Sequence, residues 1–138
     1  MNWIPLSAWV DQLESGARPK GGIKDGVGDV PSLGAEHLSN DGGFNFVKLK
    51  LIPLEFYERM KKGRVVQNDI LIVKDGATTG KVSFVNGTFP YRNAAINEHV
   101  FRLSVNRKKA DPGFVFRFLQ SPTGQAGILS DFRGATVG

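Results

Sequence analysis

Along this chain the spacing of apolar residues switches between a helical period and a period of two, and each switch predicts a new element. Leu6, Trp9, Val10 and Leu13 fall on one helical face, which predicts a short helix over Pro5–Glu14 ended by Gly16. Ala17–Gly28 carries Pro19, several glycines and the cations Arg18, Lys20 and Lys24, and is predicted as an exposed loop. Asp29–Leu33 is predicted as a short edge-type strand, because Pro31 has no N–H for a ladder. Polar, glycine-rich Glu36–Phe44 is predicted as loop. Over Phe46–Leu51, Val47, Leu49 and Leu51 alternate with Phe46, Lys48 and Lys50, the pattern of a half-buried strand. Pro53 then suits the first turn of a helix running to about Lys62, with Gly63 closing it and Leu54, Phe56, Tyr57 and Met60 as its apolar side.

The middle of the chain is rich in strand signals. Asp69–Lys74 is a compact β-branched run and Val82–Val85 another. Asn86-Gly87 predicts a tight hairpin turn, with Thr88–Tyr91 returning antiparallel. Asn97–Val105 contains a further strand, with Val100, Phe101 and Leu103 as its apolar content. Beyond it Asp111-Pro112 is an N-cap and first-turn pair for a helix bearing Phe114, Val115, Phe118 and Leu119. Ser121-Pro122 repeats the signal for a second helix through about Leu129. No internal repeat or low-complexity tract interrupts the order. The expected fold is therefore α+β, a twisted, mostly antiparallel sheet with short flanking helices, in one domain spanning 1–138. Gly134–Gly138 has neither cap nor polar tail and reads as a cut within a longer chain.

Composition narrows the function. A length of 138 residues with 41% hydrophobic content is enough to bury a core, and ten phenylalanines supply bulk for it. The net charge of +5 favours polyanionic partners, since cations that neutralise phosphates release condensed counterions. Without cysteine, disulfides, thiolate catalysis and cysteine-ligated metals are excluded. Met1–Pro5 lacks the basic flank and apolar run of a signal peptide, and no window approaches the ~20 apolar residues of a membrane helix, so a cytoplasmic protein is expected.

Several motifs fail their catalytic readings. Gly76-Ala77-Thr78-Thr79-Gly80-Lys81 is one residue short between its glycines for a Walker loop, and Val82 stands where Ser or Thr would hold magnesium. It is predicted to join two strands of a hairpin, leaving Thr78, Thr79 and Lys81 able to touch a DNA backbone. Phe89-Pro90-Tyr91 is similar to an amino-methyltransferase element but lacks its amide or acid and its second proline, and no cofactor loop accompanies it. Asp69 and Lys74 lack the second carboxylate of a nuclease cluster. His37 and His99 lie in no recognisable constellation, so structural or surface roles are expected, His99 with a hydrogen bond at the sheet edge. The loop cations Arg18, Lys20, Lys24, Lys74, Lys81, Arg92, Arg107, Lys108 and Lys109 are either an ordinary solvated surface or a converging phosphate grip. Arg92-Asn93 has the chemistry to read guanine and adenine.

The ordered segments resemble a target-recognition domain of a type I restriction-modification specificity subunit. Gly16–Lys20 and Gly28–Leu38 are similar to the opening of that domain, and Val66–Val82 to its central Gly-x-x-Gly core. Asn97–Leu103 resembles the strand that follows, Asp111–Ser121 the closing helix, and Gly134-Ala135-Thr136 the residues before the family's helical region. The resemblance spans nearly the whole chain, without the long helix and the second recognition domain of full-length subunits. It implies a non-catalytic component, without cofactor or metal, that reads one half of a bipartite duplex DNA target. Separate methyltransferase subunits, and through them a restriction subunit, would perform the chemistry. The family's base-reading positions vary with the target. The candidate DNA contacts therefore follow from loop position and side-chain chemistry alone: Arg18, Lys20, Lys24, Lys74, Thr78, Thr79, Lys81, Arg92, Asn93, Lys108 and Lys109. Two alternatives remain, a protein-interaction domain of the same fold, favoured by scattered cations, and a small-molecule enzyme, favoured by a deep pocket joining the Gly76–Lys81 loop to His37 or Glu98.

Overall fold

A computed structural model describes residues 6–22, 24–25 and 27–137, with side-chain surroundings for 8–22 and 27–130. The fold is α+β, with two four-stranded sheets where the sequence predicts one. The first sheet has the order β1 (Val10–Ser15), β8 (Val100–Val105), β5 (Ile70–Val73), β6 (Val82–Phe84), and its ladders are all antiparallel. The second is ordered β2 (Lys24–Asp25), β4 (Lys50–Ile52), β3 (Val30–Leu33), β7 (Ala95–Ile96), with β7 parallel to β3. Three α-helices complete the described residues: α1 (Leu54–Arg59), α2 (Pro112–Gln120) and α3 (Pro122–Val137).

Side-chain alternation along the strands stacks these elements in layers. Ile70 and Ile72 of β5 point with Val82 and Leu103 toward Val115, Leu119 and Ile128 of the α2–α3 pair. The intervening Leu71 and Val73 point the other way and share a core with Leu33 and Ile96 of the second sheet. Val30, Ile52 and Ala95, on that sheet's far face, pack against Phe56, Tyr57 and Met60 of α1 and its end. A strand buried on both faces reads as an unbroken apolar run, which is why Ile70–Val73 has no polar position. Full burial of each such side chain stabilises by about 1.5–3 kcal/mol.

Local signals at the C-terminal half operate as predicted. The Asp111 carboxylate accepts the Phe114 N–H at 2.9 Å and caps α2, while Ser121 Oγ accepts the Gly124 N–H at 3.1 Å at the head of α3. That second helix continues past Leu129 to Val137.

Elsewhere tertiary partners override the local pattern. In place of a helix ending at Glu14, Leu6–Trp9 forms one 3-10 turn and Val10–Ser15 forms β1, which pairs with β8; Pro5 lies outside the described residues. Pro31 sits in an interior strand, tolerated because the β7 ladder begins only at Ser32, leaving no partner beside the proline on that side. The strand expected over Phe46–Leu51 starts at Lys50. Lys48 turns to φ 56°, and Phe44, Phe46 and Leu49 all pack onto one core, which a period of two forbids. The α1 helix stops at Arg59, short of Lys62. At Asn86-Gly87 neither residue has positive φ, so the hairpin turn is not made. Asn86 Oδ1 instead accepts the Thr88 N–H at 2.9 Å, and Phe89 and Tyr91 enter an aromatic cluster with Phe44 and Phe46 in place of a return strand.

Candidate nucleic-acid interface

The registers of the first sheet bring three loops to one of its ends. Ser15 pairs with Phe101, Phe101 with Ile72, Val73 with Val100, and Ile72 with Val82. Gly16–Arg18, Glu98-His99, Lys74–Gly76 and Gly80-Lys81 therefore leave the sheet side by side, in a row about 14 Å wide at ~4.8 Å per strand. Arg18, Lys74, Thr78, Thr79 and Lys81 share this end.

The Gly76–Lys81 segment is a β5–β6 hairpin loop, as expected. The Val73 N–H donates to the Lys81 carbonyl at 2.9 Å and the Gly80 N–H to the Val73 carbonyl at 2.8 Å, which closes the loop at its base. Gly76 and Gly80 both take φ 93°, a region glycine enters without steric cost. Thr79 Oγ1 is tied to the Gly76 carbonyl at 2.6 Å, whereas Thr78 is exposed. The Lys74 ammonium lies 5.4 Å from the Phe101 ring centre.

Beside this loop lies a pocket of about 360 Å³ lined by Asn40, Thr78, Thr79, Lys81, Val82, Gln120 and Gln125. Its lining contains three amides, two hydroxyls and one ammonium, and no carboxylate or imidazole. Gln125 is held by both protons of its amide, which reach the Gly80 carbonyl at 2.9 Å and the Leu119 carbonyl at 2.7 Å. Its amide oxygen remains as an acceptor. Asn40 is delivered by the turn around Gly42, where the Phe84 N–H meets the Gly42 carbonyl at 3.0 Å and Ser83 Oγ donates to the Gly43 carbonyl at 2.6 Å. Neither His37 nor Glu98 lines the pocket, so the arrangement an enzyme reading called for is not formed here.

The remaining candidates lie elsewhere. Lys108 and Lys109 follow β8 at the opposite end of the first sheet. Arg92 and Asn93 are exposed ahead of β7, whose other end leads through Asn97 to the loop row. Lys20 is exposed in the turn after Arg18, and Lys24 stands in β2 opposite Leu51, its side chain outside the described surroundings.

Polar groups at the row are ordered by one another. Arg18 Nε is 3.4 Å from Glu98 Oε1, His99 Nε2 is 3.2 Å from that same oxygen, and His99 Nδ1 is 2.6 Å from Asp75 Oδ1. The hydrogen bond expected of His99 at a sheet edge is made instead at the head of β8, an interior strand, with Asp75 of the neighbouring loop. The expected structural role of the other histidine holds: His37 is fully buried. Its Nδ1 accepts the Gly34 N–H at 3.0 Å, and Nε2 donates to the Lys48 carbonyl at 3.3 Å. With its Nδ1 lone pair occupied, the ring has no proton to offer Glu36 Oε1 at 3.2 Å, so that contact is no ion pair in this tautomer.

Within the first sheet lies a buried charge network. Arg102 donates to both Asp69 oxygens at 2.7 and 2.9 Å, to Glu14 at 2.8 Å and to Gln12 at 3.1 Å. Asp69 also accepts the Val66 N–H at 2.7 Å, and Glu14 the Gly63 N–H at 3.1 Å. Burial pushes the Asp69 carboxyl above its ordinary range despite Arg102. Burial acts the same way on Glu14, but hydrogen bonds from Arg102 and Gly63 outweigh it and hold Glu14 below its ordinary range. Burial likewise works against the Arg102 charge, and Asp69 and Glu14 together more than offset it.

No sequence pattern marks the pocket amides, because Asn40, Gln120 and Gln125 belong to a loop and two helices distant along the chain. One further basic run was in plain view: Lys61, Lys62 and Arg64 flank Gly63, whose N–H bonds Glu14 beside the Gly16–Arg18 loop. Of these, Arg64 is already engaged, stacked 4.7 Å over the Tyr57 ring and donating to the Glu58 carbonyl. No protein-family model and no curated protein matches this chain. No helix among the described residues is long and apolar enough to cross a membrane.

Proposed function

We propose that this chain is a duplex DNA recognition module that reads half of a bipartite target for separate methyltransferase and restriction subunits. The observation that carries the reading is the loop row, which gathers Arg18, Lys74 and Lys81 at one end of the first sheet, with Lys81 and two hydroxyls lining an amide-bearing pocket free of carboxylates. Ammonium groups suit phosphates, and guanidinium and amide groups suit base edges. The ordered resemblance to type I specificity-subunit recognition domains supports the same reading and supplies the partners. Its test is fluorescence anisotropy with a labelled duplex at several salt concentrations, with and without the partner methyltransferase. Binding should weaken with salt at a log–log slope of about −0.9 per phosphate contacted. Lys74→Ala with Lys81→Ala should reduce the magnitude of that slope by about two. Salt-insensitive binding, or none with the partner present, would refute the proposal and favour the interaction-domain alternative, toward which the outlying Arg92, Lys108 and Lys109 point.

A further inference from the structure

Resting on that DNA-recognition reading, we infer that the Arg18–Glu98–His99–Asp75 chain reads one G·C base pair in the major groove. Three properties of the four side chains point there. First, they come from three neighbouring strand ends of the row, Arg18 after β1, Glu98 and His99 before β8 and Asp75 after β5, with Lys81 before β6 available for the adjoining phosphate. Second, they are accessible: side-chain exposure is 59% for Arg18, 51% for His99, 45% for Asp75 and 34% for Glu98. Third, they are held in place before any ligand arrives. The Asn97 side chain accepts the His99 N–H at 2.8 Å, the His99 carbonyl accepts the Lys74 N–H at 2.8 Å, and both imidazole nitrogens face carboxylates.

The hydrogen-bonding order then selects the base pair. Arg18 approaches Glu98 through Nε, so its two terminal amino groups remain as donors. Glu98 receives Arg18 and His99 on Oε1, and among the described residues Oε2 takes no hydrogen bond. The cluster therefore presents donors beside an acceptor. In the major groove a G·C pair presents the complement, the O6 and N7 acceptors of guanine beside the N4 donor of cytosine. An A·T pair places a donor where Arg18 needs an acceptor. His99 and Asp75 are positioning residues, which fix the Glu98 carboxylate from behind.

The test is enrichment from a randomised duplex library with the full chain, comparing wild type, Glu98→Gln, Arg18→Ala and Lys81→Ala. Circular dichroism and thermal midpoints confirm that each variant is folded. Wild type should recover a motif with one invariant G·C pair. Glu98→Gln and Arg18→Ala should each relax that position, losing about five- to a hundredfold in discrimination while the other positions stand. Lys81→Ala should weaken binding to all sequences without altering the motif. If the motif is unchanged in both Glu98→Gln and Arg18→Ala, or if wild type binds DNA with no sequence preference, the inference fails while DNA binding stands. If wild type retains no DNA with its partner present, the recognition reading fails and takes this inference with it.

Discussion

Arg102 holds its guanidinium at 6% side-chain exposure between Asp69 at 2% and Glu14 at 20%. Breaking such a group by removing one member leaves buried charge without compensation, which costs about 3–5 kcal/mol. Arg102→Met should therefore lower the unfolding free energy obtained from urea titration by an amount of that order, and an unchanged value would show the network to be dispensable. Acid tests the same group through Glu14. Its folded-state affinity for protons is depressed, so its stabilising share is present above the ordinary glutamate range and lost as pH falls through the depressed value. Asp69 is raised, so its charge weighs against folding above the ordinary aspartate range and that cost disappears in acid, the opposite sign. The stability gap between wild type and Glu14→Gln should consequently be wide at neutral pH and narrow as pH falls below the ordinary glutamate range. A gap independent of pH in urea titrations would contradict the assignment. None of this is visible in the sequence, because Arg102 meets its acids across separations of 33 and 88 residues.

Among the elements, β1 shows how a local pattern loses to a ladder. Leu6, Trp9, Val10 and Leu13 do have helical spacing, but so short a helix is marginal alone. Pairing with β8 satisfies the backbone and sets Glu14 directly opposite Arg102. Gly16 then has a different duty from ending a helix. A Cβ there would stand 1.9 Å from the Ile96 carbonyl oxygen and 2.5 Å from that of Asn97, so only glycine lets β1 pass the β7–β8 connection. Gly16→Ala should lower stability by about 1–3 kcal/mol, as overpacking does, whereas Gly87→Ala, which faces open space, should leave the thermal midpoint nearly unchanged. Equal effects at the two sites would sink this account. The elements legible in sequence are those with a self-contained cause: the Asp111-Pro112 and Ser121-Pro122 helix starts, the doubly buried β5 run and the glycine-bounded β5–β6 loop. Those misread, Phe46–Leu51 and Thr88–Tyr91, were recruited by each other, since the Phe46 and Tyr91 rings meet at 5.0 Å. Such mutual capture leaves no trace in either segment alone.

For the whole molecule, the +5 charge matters less than where its cations stand. Arg18, Lys74 and Lys81 gather at one end of the first sheet, while Lys108 and Lys109 leave the other. If DNA lies across the loop row, Lys108→Ala with Lys109→Ala should keep the wild-type salt slope in the anisotropy titration, in contrast to the Lys74 and Lys81 pair. A slope reduced equally by both double variants would relocate the interface. Sequence order alone could list these cations but could not sort them, because sorting depends on strand order. That strand order also sets a timetable for folding. Val10 lies beside Val105, so β1 closes on a partner that is synthesised only after β2–β7. On the ribosome, β1 must wait until β8 emerges, and a large loop must close before its first ladder bond forms, which slows folding. Asp11, Gln12 and Glu14 place charge and polarity along the waiting strand, and so discourage it from pairing with another nascent chain in the interval.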